Sequence, residues 1–324
     1  MSDVSDPRLA DAVDKLTQLR SELRKVVVGQ ETLIEEMLIV LIARGHALLE
    51  GVPGTAKTLA VRGLGAAMTC DVKRIQFTPD LMPSDVVGTN VFNLSSSAFE
   101  LRRGPIFTDL LLADEINRSP AKTQAALLEA MAEGQTTIDG QTHRLSPVFT
   151  VFATQNPVEF EGTYPLPEAQ QDRFLLKIKV GYPSEEAEMD VIRSAHSGKP
   201  YSDLSNGRVQ PIFSRQTLRE AQELLPLVRV DDGILQYILK IVRATRGHES
   251  VQLGAGPRGS LYLLLASKAR ALVSGFDYVR PDDVVALVPP VLGHRLTLRA
   301  EAEISGTTTE EVLQSILDKV EVPR

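Results

Sequence analysis

At 324 residues, the chain is longer than one hydrophobic core usually serves, so its length predicts two domains. Its 43% hydrophobic and 24% charged residues are typical of a globular protein and exclude the disordered and fibrous classes. The net charge of −7 argues against broad, nonspecific binding to nucleic acid or to anionic membranes.

The sequence predicts a cytoplasmic protein that does not insert into membranes. Its longest unbroken apolar run, residues 37–43, is far shorter than the roughly 18 residues that a membrane span requires. Residues 1–15 are acidic and lack the basic start and apolar stretch of a signal peptide, so we do not expect export. The single cysteine, Cys70, excludes an internal disulfide.

Five short apolar runs bounded by turn residues predict strands in the first half of the chain: residues 46–50, 73–77, 106–113, 148–153 and 174–180. Between them, residues 121–132 have apolar side chains at helical spacing behind the start signal of Ser119 and Pro120. Strands that alternate with helices predict a mostly parallel sheet covered by helices.

The pattern changes after residue 183, where helical spacing continues without convincing strands. Helices are predicted over residues 184–196, 214–225, 232–247, 258–273, 281–287 and 308–320, with a flexible segment at 197–211. We therefore expect an α/β domain over residues 1–182, with an N-terminal helix and hairpin insertions, and an all-helical domain over residues 183–324.

Two segments interrupt the alternation and are predicted to form hairpins. Residues 90–101 have two β-prone arms around a serine turn, and residues 137–145 contain Asp139 and Gly140, a two-residue turn signal. Ordinary surface hairpins and functional insertions are equally compatible with this pattern.

A candidate phosphate-binding loop, GVPGTAKT at residues 51–58, follows the first predicted strand and precedes a helix. Gly51 and Gly54 would let backbone N–H groups surround phosphates, Lys57 would reach the β and γ phosphates, and Thr58 would hold Mg²⁺. Ala56 stands where the motif has glycine and fits only if its φ is negative. A tight turn with an exposed lysine is the alternative. The predicted nucleotide-binding residues here are Gly51, Val52, Pro53, Gly54, Thr55, Ala56, Lys57, Thr58 and Leu59.

Polar side chains follow the third and fourth strands of the expected sheet. Asp114 and Glu115 end the run LLLADE, at the edge where parallel sheets bind ligands. Asp114 would bind Mg²⁺ through water, and Glu115 would orient and deprotonate an attacking water. Asn156 ends the following strand and would contact that water or the γ phosphate. A solvated acidic strand end and an Asn-Pro turn are the structural alternatives.

The chain resembles the MoxR family of AAA+ ATPases over nearly its whole length. The matching motifs, in order, are GVPGTAKT, LLLADEINRSPAKTQAALLEAM, FATQNPVEFEGTYPLPEAQQDRF and GAGPRG. This resemblance implies a P-loop AAA+ nucleotide domain with a parallel five-stranded sheet, followed by an all-helical lid domain. Alanine before the lysine also occurs in this family, so Ala56 is compatible with nucleotide binding.

The resemblance also implies residue roles. Arg173 resembles the arginine finger that reaches the neighbouring subunit's nucleotide, Arg258 the second sensor on the lid, and Asn156 the first sensor. The segment Val28, Gly29 and Gln30 resembles the adenine-side loop. The two predicted hairpins fit insertions that line a central pore in related chelatases and helicases.

These roles have structural alternatives. Arg173 has Glu168 and Asp172 nearby in sequence, so it could be a paired surface arginine. The segment at residues 28–30 could be only a turn leading into a helix.

The resemblance implies a cytoplasmic, Mg²⁺-dependent ATPase that hydrolyses ATP in a homo-oligomeric ring, expected to be a hexamer. Its work would be chaperone-like maturation of partner proteins carrying von Willebrand factor A domains, including metal or cofactor insertion. The alternative is a nucleic-acid motor that uses Arg102, Arg103 and Arg144 on the hairpins. A scaffold that binds ATP with little hydrolysis is a third class, which the presence of Glu115 and Arg173 disfavours.

Overall fold

The computed structural model describes residues 4, 6–156, 163–204 and 207–323. The described α-helices are α1 (Pro7–Arg24), α2 (Glu31–Ile42), α3 (Lys57–Ala67), α4 (Pro83–Val87), α5 (Ala121–Glu133), α6 (Glu168–Gln171), α7 (Glu185–His196), α8 (Arg215–Leu224), α9 (Asp232–Gly247), α10 (Pro257–Val273), α11 (Pro281–Leu292), α12 (Ala300–Ile304) and α13 (Thr309–Lys319). The described strands are β1 (Ala47–Glu50), β2 (Met68–Thr69), β3 (Val72–Gln76), β4 (Gly88–Asn93), β5 (Ala98–Arg103), β6 (Leu110–Asp114), β7 (Gln135–Ile138), β8 (Gln141–Arg144), β9 (Thr150–Gln155), β10 (Leu176–Lys179), β11 (Phe213–Ser214), β12 (Val251–Leu253) and β13 (Thr297–Leu298).

The five predicted strands form one parallel sheet in the order β10-β1-β9-β6-β3. The prediction for β6 began too early, because residues 104–109 form turns: the N–H of Thr108, for example, donates to the carbonyl of Ile106 at 2.9 Å. Since all five strands run the same way, their carboxyl ends lie at one edge of the sheet.

Side chains of the central strands alternate between two apolar cores, as the two-residue period of a strand requires. Leu111 and Val151 belong to a core shared with α5, on one face of the sheet. Leu112 and Phe152 belong to a core on the other face, which continues from α1 through α2 and α10 to α13. The helical half of the chain therefore packs directly on the sheet half.

Both predicted hairpins are present, as β4–β5 and β7–β8. Asp139 and Gly140 have φ angles of 47° and 81°, the left-handed conformation that a tight two-residue turn needs. The hairpins contact each other, because Nδ2 of Asn90 donates to Oδ2 of Asp139 at 2.8 Å. In the first hairpin, Phe92 and Phe99 form an exposed edge-to-face pair with ring centres 5.3 Å apart.

Residues 183–323 are mainly helical, and each helix predicted there is found. Helix α11 is longer than expected because Pro289 and Pro290 are accommodated within it. Residues 183–323 also contain short strands, so the expectation of an all-helical domain is corrected on this point. β12 pairs with β13, and β11 pairs with β2 of the sheet half, where extended segments between helices lie side by side. No helix among the described residues has both the length and the apolar character to cross a bilayer.

Candidate active site

A cavity of about 470 Å³ lies at the carboxyl edge of the sheet. It is lined by the loop at residues 53–59, by the polar side chains that end β3, β6 and β9, and by Ser202. This volume is in the range of small-molecule sites. Asp114, Glu115 and Asn156, which the sequence placed at the ends of two strands, all line this cavity. The segment at 157–162, which follows Asn156, lies outside the described residues.

The loop between β1 and α3 wraps around the side chain of Lys57. The ammonium Nζ of Lys57 donates to the carbonyls of Gly51 and Val52, the latter at 3.0 Å. A Cβ atom on Gly51 would lie 2.3 Å from the carbonyl oxygen of Val180, so glycine there allows β10 to approach closely. Gly54 has a φ of 85°, which supplies the left-handed turn of the loop. Gly51 and Val52 are not among the residues that line the cavity.

Ala56 does not have the negative φ on which its fit to the motif was expected to depend. Its φ is 66° and its ψ is 13°, the left-handed conformation, directly before the first residue of α3. For a residue with a Cβ atom this conformation costs about 1 kcal/mol. The turn from strand to helix requires this conformation, and the surrounding fold imposes it on an alanine.

The predicted metal pair, Thr58 and Asp114, lies together at the cavity. Oγ1 of Thr58 is 3.4 Å from Oδ2 of Asp114. A hydroxyl and a carboxylate are oxygen ligands of the kind that Mg²⁺ prefers, so these residues fit the ion. Oδ2 of Asp114 also accepts from Nη2 of Arg74 at 2.7 Å and from its Nε at 3.1 Å.

A buried threonine holds both acidic residues in place. Oγ1 of Thr154 donates to Oδ1 of Asp114 at 2.6 Å and accepts from the N–H of Glu115 at 2.9 Å. Oε2 of Glu115 accepts from Nε2 of Gln76 at 2.6 Å and pairs with Nε of Arg118 at 3.1 Å. The two carboxylates are therefore oriented by hydrogen bonds from the neighbouring strands.

Arg173 and Arg258 are not among the residues that line this cavity. Nη1 of Arg173 donates to the carbonyl of Leu128 at 3.0 Å. Among the described residues, Arg173 has no ion pair with Glu168 or Asp172, so its interpretation as a paired surface arginine is wrong. Asp172 instead pairs with Nη1 of Arg258 at 2.9 Å and with Nε of Arg295 at 2.8 Å.

The predicted adenine-side loop, Val28 to Gln30, lies at the junction of the two halves. Nε2 of Gln30 donates to the carbonyl of Gly181 at 2.8 Å. Gly29 has a φ of 69°, and a Cβ atom there would lie 2.4 Å from Cβ of Ala187 on α7. The loop therefore contacts both the end of the sheet half and the first helix of the helical half, and none of its residues is among those lining the cavity.

Two parts of the chain match protein-family models. Residues 46–176 match the ATPase family associated with various cellular activities (AAA), and residues 243–316 match an AAA lid domain. Over 325 residues the chain is 43% identical to Chaperone MoxR1 of Mycobacterium tuberculosis, covering 98% of this chain and 84% of that protein. The chain belongs to the MoxR family of AAA+ ATPases.

Other relatives of this MoxR-family chain match it over similar lengths. A Bacillus subtilis protein named Uncharacterized protein YeaC is 48% identical over 301 residues, covering 93% of this chain and 92% of that protein. A crystal structure of a Cytophaga hutchinsonii protein matches with a TM-score of 0.89 and 42% identity, covering 98% of this chain and 97% of that chain. The predicted family, and its nucleotide domain followed by a helical lid, are confirmed.

Sequence reasoning missed six residues that line the cavity of this MoxR-family chain. Arg74 and Gln76 alternate along the end of β3. Thr154 and Gln155 are the last two residues of β9, and Arg62 lies in α3. Polar residues alternating at a strand end beside LLLADE were the available signal for the first two. Ser202 lies in the segment that we expected to be flexible and had no local signal.

Proposed function

We propose that this MoxR-family chain is a Mg²⁺-dependent ATPase that uses hydrolysis to remodel partner proteins. The observation that carries the proposal is the single cavity in which the loop at residues 53–59, Asp114, Glu115 and Asn156 meet. A lysine-bearing loop at a helix N-terminus binds phosphates, and two carboxylates beside it supply a metal ligand and a base.

Hydrolysis requires attack of water on the γ phosphorus, with cleavage of its bond to the ADP oxygen. The ammonium of Lys57 would turn from the loop carbonyls to the β and γ phosphates, where it neutralises charge. Glu115 would orient the water and take its proton, while Asn156 would hydrogen-bond the water or the γ phosphate. Thr58 and Asp114 would hold Mg²⁺, which when bound supplies positive charge at the phosphates.

We propose that the site is completed by a neighbouring subunit in a homohexameric ring. The position of Arg173 outside its own cavity supports its action on the neighbour's γ phosphate. Arg258 pairs with Asp172, the residue that precedes Arg173 in the chain. We therefore propose that both guanidinium groups serve the same phosphate, in place of a contact from Arg258 to its own nucleotide.

We propose a protein client rather than a nucleic acid. A relative of this chain is named a chaperone, and the exposed aromatic pair of Phe92 and Phe99, with Leu94 beyond it, offers apolar surface to a polypeptide. Clients with a von Willebrand factor A domain, matured by metal or cofactor insertion, are the class that we propose. The cytoplasm, where ATP is available, is the proposed location.

The proposal is tested by separating binding from chemistry. Lys57→Ala should abolish ATP binding in calorimetry, and Lys319→Ala, which alters an exposed lysine of α13, should not. Glu115→Gln should bind ATP and leave it intact in single-turnover assays. Unchanged affinity in Lys57→Ala, or a wild-type single-turnover rate in Glu115→Gln, would contradict the assignments.

A nucleic-acid motor is the alternative, since Arg102, Arg103 and Arg144 are exposed on the hairpins. A motor of this class is stimulated by its nucleic acid and loses affinity as salt rises. We expect no stimulation by single-stranded DNA at moderate salt. A several-fold faster turnover with that DNA would favour the motor.

A further inference from the structure

Arg295, in the turn after α11, is a buried arginine whose donors point at the chain on both sides of Arg173. Its side chain is 2% exposed. Nε donates to Oδ1 of Asp172 at 2.8 Å, and Nη2 donates to the backbone carbonyls of Asp172 at 3.0 Å and of Phe174 at 2.6 Å. The guanidinium therefore fixes the residue before Arg173 and the residue after it.

The remaining donors and the planar face of the Arg295 guanidinium also have contacts. Nη1 contacts the carbonyls of Leu175 and Val291. The guanidinium lies over the ring of Tyr262 on α10, 4.9 Å from its centre. A buried guanidinium is tolerated only when its charge and its donors are satisfied, and here the segment 172–175 satisfies most of them.

The same segment has a second link to the lid. Oδ2 of Asp172 accepts from Arg258 at the start of α10, while Oδ1 accepts from Arg295 after α11. One carboxylate thus joins two lid elements to the residue beside Arg173. A displacement of the lid would carry residues 172–175 with it.

Arg173 itself depends on this backbone for its direction. Its guanidinium donates to the carbonyl of Leu128 on α5 at 3.0 Å, a neutral partner that a phosphate can readily replace. When that bond is exchanged for a neighbour's phosphate, the reach of the side chain is set by where residues 172–174 are held.

We propose that Arg295 is a positioning residue for Arg173, and that it couples the orientation of the finger to the position of the lid. This inference rests on the proposed action of Arg173 on the neighbouring subunit. Catalysis depends steeply on position, and a misplacement of 1 Å can cost about 100-fold in rate.

The first test is the kinetics of Arg295→Lys, because lysine keeps the charge but cannot donate to three partners from one plane. We expect kcat to fall by about 10-fold or more with KM for ATP nearly unchanged. Arg270→Lys is the matched control: Arg270 is a lid arginine, 22% exposed and paired with Asp283, with no contact to residues 172–175 among the described residues. A wild-type kcat in Arg295→Lys would overturn the proposal.

The decisive test uses mixed rings, verified by native mass spectrometry. Arg295→Lys subunits keep an intact phosphate loop, so mixing them with Lys57→Ala subunits, which keep an intact finger, should restore partial activity. Mixing them with Arg173→Ala subunits should restore none, because neither chain then supplies a placed finger. A general loss of folding would not produce this difference between partners.

The mixtures also separate this inference from the proposed function. If Arg173→Ala and Lys57→Ala subunits fail to complement each other, the action of Arg173 between subunits is wrong. If they complement each other but Arg295→Lys and Lys57→Ala do not, only the positioning role is wrong. If Arg295→Lys does not assemble into rings, Asp172→Asn is used instead. This variant keeps the shape of the side chain but weakens its contacts with Arg258 and Arg295, so the same results are expected and the same results would contradict the proposal.

Discussion

Nε2 of Gln76 donates a hydrogen bond to Oε2 of Glu115 at 2.6 Å, joining the ends of β3 and β6 at the residue that we propose acts on water. The same oxygen also pairs with Arg118. The two donors compete with an attacking water for this carboxylate oxygen. We therefore expect the contact with Gln76 to slow hydrolysis in the conformation described here.

Replacing Gln76 should raise the basal rate of hydrolysis. Gln76→Leu removes one hydrogen bond, worth about 1 kcal/mol, and should speed phosphate release about fivefold in steady-state assays without a client. Gln314→Leu is the matched control, because Gln314 donates to Asp318 on the exposed face of α13. A slower rate in Gln76→Leu would instead mean that Gln76 holds Glu115 in its reactive orientation.

The left-handed conformation of Ala56 predicts that glycine stabilises the chain. Ala56→Gly should raise the free energy of unfolding by about 0.5–1 kcal/mol, because glycine adopts positive φ without a steric penalty. Ala125→Gly, at an exposed position within α5, should lower it by about 1 kcal/mol. Denaturant unfolding measures both. Equal destabilisation by the two substitutions would show that Ala56 carries no strain.

Thr154 should be needed for its hydroxyl group rather than its shape. Thr154→Val removes the donor to Oδ1 of Asp114 and the acceptor of the N–H of Glu115, so we expect a loss of about 2–3 kcal/mol in stability and a slower kcat. Thr154→Ser keeps both bonds and should retain most of the activity. Thr137→Val, on the exposed hairpin strand β7, controls for the substitution itself. Normal turnover in Thr154→Val would remove this role.

The carboxyl group of Glu36 predicts that the stability of the protein depends on pH. Glu36 lines a second cavity, of about 290 Å³, between α2, β10 and α11. Burial and repulsion from Glu35 raise the pKa of Glu36 from 4.5 to about 8, although Arg270 opposes the shift. Lys177, Lys179 and His294 face the same cavity.

The pKa of Glu36 is higher in the folded protein than in the unfolded chain. The contribution of its carboxyl group to stability is therefore fully present below pH 4.5 and is lost as the pH rises towards 8. Glu36→Gln should therefore raise the free energy of unfolding by about 4 kcal/mol at pH 8, and by less than about 1 kcal/mol at pH 5. Thermal unfolding of Glu36→Gln and of the exposed-site control Glu129→Gln at both pH values provides the measurement. A gain of equal size at both pH values would contradict the raised pKa.

Local patterns in the sequence were sufficient for the main elements and for the central part of the site. Short apolar runs bounded by turn residues predicted the five strands, and Asp139-Gly140 predicted a hairpin turn, since these signals depend only on neighbours in the chain. The parallel order of the strands then requires residues after β1, β6 and β9 to meet at one edge. Lys57, Asp114 and Asn156 were predictable for that reason, and they line one cavity.

The tertiary structure alone decided which partners these residues have. Asp172 pairs with Arg258 and Arg295, which lie 86 and 123 positions away, and no periodicity in the sequence records such a contact. Arg74 reaches Asp114 only because β3 and β6 are adjacent in the sheet. The backbone of Ala56 is positive in φ because the fixed positions of β1 and α3 impose it, against the preference of an alanine considered alone.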